Sequence, residues 1–227
     1  MRIAVVQHNL RPAPAQDLEA LVLAVARCAA AGVETVILPD LTSVFDGPLG
    51  EELWRRIGDE VPDVDVLVPE GGLAGAADVA VEERPGLGRV AFLSGDACID
   101  AEALASVASA SPDLAVLAPR SESELQAQAV LEVAIGLSTS LAAVVVIVEP
   151  DGAALGDPGH GGSAVLHLGE VVAEAMAGDD RLVLELDMPA GPPEPRRALP
   201  LIPPVLLQRL AVHRGHKLEV GYPADLD

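Results

Sequence analysis

Two side chains in this 227-residue chain stand where nucleophilic chemistry would need them, each just after an apolar, strand-like run. Cys98 lies in Gly95-Asp96-Ala97-Cys98-Ile99-Asp100, behind Arg89 to Leu93, and Asp40 follows Val33 to Leu38 through Pro39. A carboxylate at hydrogen-bond distance can take a thiol proton, and the thiolate is the form that attacks an electrophilic carbon. Open α/β sheets place their ligands at C-terminal strand ends, where both residues would project. A lone cysteine at a strand end also serves as a small buried apolar residue, so that reading stands beside the nucleophilic one. Cys28 belongs to the apolar reading, because it continues the helical stripe Leu18, Leu21, Val22, Val25.

Other chemistry-bearing patterns are incomplete. His213 and His216 are three residues apart, but no neighbouring cysteine or carboxylate cluster completes a metal site. His160-Gly161-Gly162-Ser163 is similar to an esterase oxyanion loop, yet the chain has no Gly-x-Ser-x-Gly elbow. Gly71, Gly72 and Gly75 open no convincing helix and read as a turn. The first strand–helix turn lacks the glycine fingerprint of a dinucleotide site. No metal and no cofactor are expected.

The elements that must position Asp40 and Cys98 follow from periodicity. Ile3 to Gln7 reads as a strand, Gln16 to Ala31 as a helix with Gly32 at its C-terminal end, and Val33 to Leu38 as a second strand. Together they make a right-handed βαβ unit. Glu51 to Ile57 reads as a short helix, and Val64 to Val68 as a third strand. Ala77 to Val81 and Arg89 to Leu93 flank the hairpin segment Glu82 to Gly88. Ala101 to Ala110 is helical in composition, Leu114 to Ala118 is a strand, and Ser121 to Leu137 is a helix opened by a Ser121–Glu124 capping box. Leu141 to Val148 is the most apolar strand. Ser163 to Leu168, Val171 to Ala175 and Leu182 to Leu186 follow without helices, as an antiparallel meander. Residues 1–188 thus form one α/β domain, and 189–227 a C-terminal arm, since Pro189 to Pro204 holds 7 prolines among 16 residues.

Composition bounds the partners. The 14 Lys and Arg against 35 Asp and Glu give a formal charge of -21, which repels phosphate backbones and anionic membrane surfaces, so neither nucleic acid nor membrane is expected as a partner. Half the residues are apolar but only Trp54, Tyr222, Phe45 and Phe92 are aromatic, so the core must be Ala, Val, Leu and Ile. Two cysteines cannot make a disulfide scaffold, the N-terminal apolar run is too short for a signal peptide, and Leu141 to Val148 is far below the ~20 residues of a membrane span. A cytoplasmic protein is expected.

Several segments, in order, resemble the nitrilase or carbon–nitrogen hydrolase superfamily. Ile3-Ala4-Val5-Val6-Gln7 is similar to its first strand, and Ala29 to Asp40 to its first helix end and second strand, which in the family normally closes with Pro-Glu. Gly88 to Asp100 resembles the nucleophile strand and Cys-x-Asp turn. Gly159 to Leu166 with Gly169 to Ala175 resembles the Gly-x-Ser strand and its hairpin, and Leu182 to Asp187 the closing strand. The resemblance implies an α/β fold, a four-layer αββα sandwich, pairing as a homodimer, and hydrolysis of a small amide through a cysteine thioester. It further implies Cys98 as nucleophile and Asp40 as general base.

The family also uses a lysine to stabilise developing negative charge, and it has no counterpart here. Residues 41–97 contain none, and Lys217 is the only lysine in the chain. Arg84 and Arg89 are the nearest cationic substitutes, with surface or structural roles as their other reading; Glu82 and Glu83 lie near an auxiliary carboxylate of some members, or on a solvated hairpin. Asp for Glu shortens the base by about 1.5 Å, and a misplacement of about 1 Å can cost ~100-fold in rate. Loss of an oxyanion donor removes a further ~100- to 1,000-fold. Two functions follow as expectations: an amidase-type hydrolase of impaired activity, or a catalytically inactive protein of the same fold, a pseudoenzyme that binds a ligand or a protein partner.

Overall fold

A computed structural model describes residues 1–11, 13–40, 45, 47–69, 80–152 and 159–188. The stretch 189–227, read above as an arm, lies outside them, as do Gly71, Gly72, Gly75, His213, His216 and Lys217. The order of elements is β1 (Arg2–Gln7), α1 (Pro14–Ala30), β2 (Thr35–Ile37), α2 (Gly47–Glu60), β3 (Asp65–Leu67), β4 (Ala80–Arg84), β5 (Gly88–Ser94) and a 3₁₀ turn (Gly95–Ile99). There follow α3 (Ala101–Ala110), β6 (Leu114–Ala118), α4 (Glu124–Leu141), β7 (Val144–Ile147), β8 (Ala164–His167), β9 (Glu170–Glu174) and β10 (Asp180–Glu185).

The strands form two sheets, one ordered β10-β1-β2-β3 and the other β4-β5-β6-β7-β8-β9. In each the central strands are parallel, and antiparallel strands lie toward the edges. Period-2 alternation separates the layers. Ile3 and Val5 of β1, with Ile37 and Leu67, face Val90, Leu114, Val116, Val144 and Val146 of the other sheet. Ala4, Val6 and Val36 face away, onto Leu18, Leu21, Val22 and Val25 of α1 and Leu53 and Ile57 of α2. On the far side Ala91, Leu93, Ala115 and Leu117 pack against Leu104 and Val107 of α3 and Val133 and Leu137 of α4. The order is therefore helix, sheet, sheet, helix, the αββα sandwich expected. Strands buried on both faces, such as Leu114–Ala118, carry the continuous apolar runs that parallel sheets need.

Four local readings are corrected. The Ser121–Glu124 capping box does not form: Ser123 is the N-cap of α4, its hydroxyl accepting from the Gln126 N–H at 3.3 Å. The run read as a strand from Leu141 begins as helix, which Ala142 ends in the left-handed region, so β7 starts at Val144. The last three strands are not one meander. β8 and β9 continue the second sheet, but β10 crosses to pair with β1, because Leu182, Leu184 and Leu186 match the inter-sheet face of Ile3 and Val5. The β4–β5 hairpin is tighter than read, with strand to Arg84 and a turn at Pro85–Leu87. Among the described residues no helix is long and apolar enough to cross a membrane.

Candidate active site

Asp40 and Cys98 end strands of different sheets that finish at the same end of the sandwich. Two links bring those ends together: the Gln7 Oε1 at the end of β1 accepts from the Ser163 N–H at 2.9 Å, and the Asp151 N–H donates to the His8 carbonyl at 2.8 Å. On the second sheet, β5 turns through Gly95, whose φ of +54° suits a residue without a Cβ, into the 3₁₀ turn that carries Cys98. Asp100 fixes the far side of that turn. As the N-cap of α3 it accepts from the N–H groups of Glu102 (3.0 Å) and Ala103 (2.9 Å). The Cys-x-Asp spacing thus has a local cause, a thiol one step before a capped helix.

Cys98 is completely buried, and its thiol donates to the Leu93 carbonyl at 3.5 Å. Burial pushes the thiol well above its ordinary range, and the carboxylates of Glu149, Asp40 and Asp96 push it the same way, Glu149 most strongly. Asp40, 5% exposed, lies within range for its charge to act on the Cys98 thiol. Sequence reasoning missed Glu149, which is 2% exposed and ends the β7 run just before Pro150. A carboxylate closing an apolar strand beside a proline was the same signal that drew attention to Asp40. Burial raises the Glu149 carboxyl too, while the Ser121 N–H, donating to its Oε1 at 2.6 Å, pulls the other way. Its backbone is tied to Ser163: the Glu149 N–H donates to the Ser163 hydroxyl (3.0 Å), which donates back to the Glu149 carbonyl (3.2 Å). Gly159 completes the support. At φ +121° it approaches so closely that a Cβ there would overlap the Pro150 carbonyl oxygen.

The arginines considered as lysine substitutes are engaged elsewhere. Arg89 donates to the Ala110 carbonyl at 2.8 Å, at the end of β5 remote from Cys98, and Arg84 pairs with Glu82 on the hairpin. Cys28 is fully buried in the α1 core, as expected. Ser163 and His160, read as a possible oxyanion loop, instead border Glu149. Among the described residues no group of three or more His, Cys, Asp and Glu is arranged to hold a metal ion.

The two stacked sheets, each flanked by two helices, with Cys98 on a turn at the strand ends, constitute the fold of the nitrilase-superfamily amidases. Solved structures it is similar to include those of an amidase from Nesterenkonia sp. AN1. A glutamate-to-glutamine mutant of that amidase, showing Michael addition of acrylamide at the active-site cysteine, matches at 16% identity and a TM-score of 0.66, over 95% of this chain and 99% of that one. A second structure of the same mutation, with the acetamide moiety of fluoroacetamide added at the cysteine, matches at 17% identity and a TM-score of 0.64, over 95% and 96%. A cysteine-to-serine mutant, described as from the nitrilase superfamily, matches at 16% and 0.66, over 95% and 97%. No protein-family model matches the sequence, and no curated protein matches it.

Proposed function

We propose that the chain is an amidase-type carbon–nitrogen hydrolase of low activity, with Cys98 as nucleophile and Asp40 as general base. The observation that carries this is the placement of a thiol on the β5 turn near a buried carboxylate at the end of β2, close enough for its charge to act on that thiol. The Nesterenkonia amidase structures, which have this fold and carry amide-derived adducts on a cysteine, support the same reading. In the reaction Asp40 takes the Cys98 proton as sulfur attacks the amide carbonyl carbon, and the C=O electron pair moves onto oxygen. Collapse of that tetrahedral intermediate breaks the C–N bond; the leaving nitrogen takes the proton from Asp40 and departs as ammonia or amine. Water then attacks the thioester, Asp40 accepts its proton, and the C–S bond breaks to give the acid and regenerate the thiol.

Low activity follows from the electrostatics. Three carboxylates oppose the thiolate, and Arg84 and Arg89 are held away from the oxyanion. Those same observations favour a second reading, a non-catalytic protein of this fold that binds a ligand or partner. The family resemblance further implies a homodimer, which light scattering would test, and a reducing cytoplasm suits a functional thiol. The discriminating experiment compares the wild type with Cys98→Ala on a panel of small amides. Ammonia release and a Cys98 acyl adduct by intact mass, both lost in the variant, are expected. Neither appearing above the variant's background would leave the non-catalytic reading.

A further inference from the structure

The first sheet has a second feature, remote in chemistry from Cys98. Where α1 runs beside the edge strand β10, a polar cleft of about 310 Å³ opens, bordered by Arg11, Arg27, Arg181, His8, Asp179 and Asp180. Arg181 pairs with Val6 in the β10–β1 register, so it points to the helix-bearing side of the sheet, and Arg27 comes from the last turn of α1. Three of 14 basic residues in a chain of charge -21 therefore converge on one cleft.

The carboxylates in the cleft do not neutralise all three. Asp180 is committed to backbone, accepting from the Met176 N–H at 2.8 Å and the Arg181 N–H at 2.7 Å. Asp179 accepts from the Asn9 N–H at 2.8 Å and pairs with Arg11, which also lies 3.6 Å from the buried Asp17. His8 donates to that same Asp17 at 2.7 Å. Among the described residues neither Arg27 nor Arg181 has a carboxylate partner; the Arg181 guanidinium reaches only the Cys28 thiol. Two guanidiniums thus face the cleft with donor forks that no anion among the described residues matches.

We propose that this cleft binds a small dianion of the phosphate class, with Arg27 and Arg181 as its two cationic contacts. Guanidinium forks match tetrahedral oxyanions through paired N–H donors. Two unmatched positive charges call for two negative ones, which a carboxylate monoanion does not supply. The volume lies at the low end of ligand pockets, which run from about 300 to 1,000 Å³, so the ligand is small. The site is local, set in a protein whose overall field repels anions.

The test is titration of the full chain with inorganic phosphate at low ionic strength, by calorimetry and by ³¹P NMR. Saturable binding of one phosphate per chain is expected. Arg27→Ala and Arg181→Ala should each weaken it at least about tenfold, the loss of one charge-assisted contact. Acetate should bind at least tenfold more weakly than phosphate. Both arginines are exposed, so their replacement leaves the core intact; should an alanine variant lose its folded circular dichroism, Arg27→Gln and Arg181→Gln carry the same expectation. Absence of saturable phosphate binding, binding unchanged in the double variant, or acetate binding as tightly as phosphate would each overturn the proposal.

Discussion

Replacing Glu149 by glutamine isolates the effect of negative charge on the Cys98 thiol. Glutamine preserves the Oε1 that accepts the Ser121 N–H at 2.6 Å, so the support of the site persists while one charge disappears. Among the charges acting on Cys98, Glu149 contributes more than Asp40 or Asp96. Removing one close like charge raises the thiolate fraction about tenfold. The thiolate so formed is less basic and about threefold less nucleophilic, because nucleophilicity follows basicity with a slope near 0.4–0.5. The net expectation is a roughly threefold gain in the rate at which Cys98 reacts with acrylamide.

That gain carries a pH signature. Glu149 titrates above its ordinary range, so at acid pH it is already neutral and Glu149→Gln should match the wild type. The two should diverge as pH rises through the Glu149 titration and differ most at alkaline pH. Intact-mass kinetics of acrylamide labelling across pH measure this, with Cys98→Ala as the blank. Equal rates at every pH, or a slower variant at alkaline pH, would refute the electrostatic account. Labelling of Cys98 only after denaturation would refute its role as an accessible nucleophile.

Further outcomes follow from other parts of the molecule. His8 is held below its ordinary titration range, first by burial, with Asp17 opposing. The unfolded chain therefore binds this proton more readily, and stability should fall as pH drops below about 6.5 toward the folded-state value. His8→Gln should flatten that segment of the stability curve in chemical denaturation. Gly159→Ala should displace the Pro150 carbonyl and shift Glu149, changing the pH profile of Cys98 labelling as well as lowering Tm. Leu137→Ala removes a fully buried side chain between α4 and the second sheet. A loss of about 3 kcal/mol is expected, lowering Tm by about 6–12 °C in calorimetry.

Elements with a single clear period were legible in the sequence. The α1 stripe of Leu18, Leu21, Val22, Val25 and Cys28 is the buried face seen, and Leu114 to Ala118 is the strand it resembled. Boundaries set by competing caps were not. Ser121 and Ser123 are both capping residues, and Ser123 prevails where the chain enters α4, while the Ser121 N–H is taken by Glu149. The pairing of β10 with β1 was hidden for another reason: the paired strands lie near opposite ends of the described chain, and alternation states which side of β10 is apolar without stating which sheet it meets. Asp40 and Cys98 were legible because each closes a strand. Glu149 closes one too, but the apolar run before it reads as core, and nothing local shows that its carboxylate turns inward beside a thiol.

The excess of acid in this chain acts at two ranges. Over the surface, a charge of -21 disfavours polyanionic partners through its long-range field, which salt screens within about 8 Å at physiological strength. At Cys98 the same chemistry acts at short range and in a buried setting, where screening is weak. Arg89 and Arg84 are bound to Ala110 and Glu82, and the charges that act most strongly on Cys98 are carboxylates. A single carboxylate near the thiol is what a general base requires, but a second and third raise the cost of the thiolate without adding a proton acceptor that the reaction can use. Protonation of Glu149 relieves one of them, and its burial favours that neutral form. The proton on Glu149 therefore sets how much of the acid field the Cys98 thiol experiences, and with it the thiolate fraction on which the proposed hydrolysis depends.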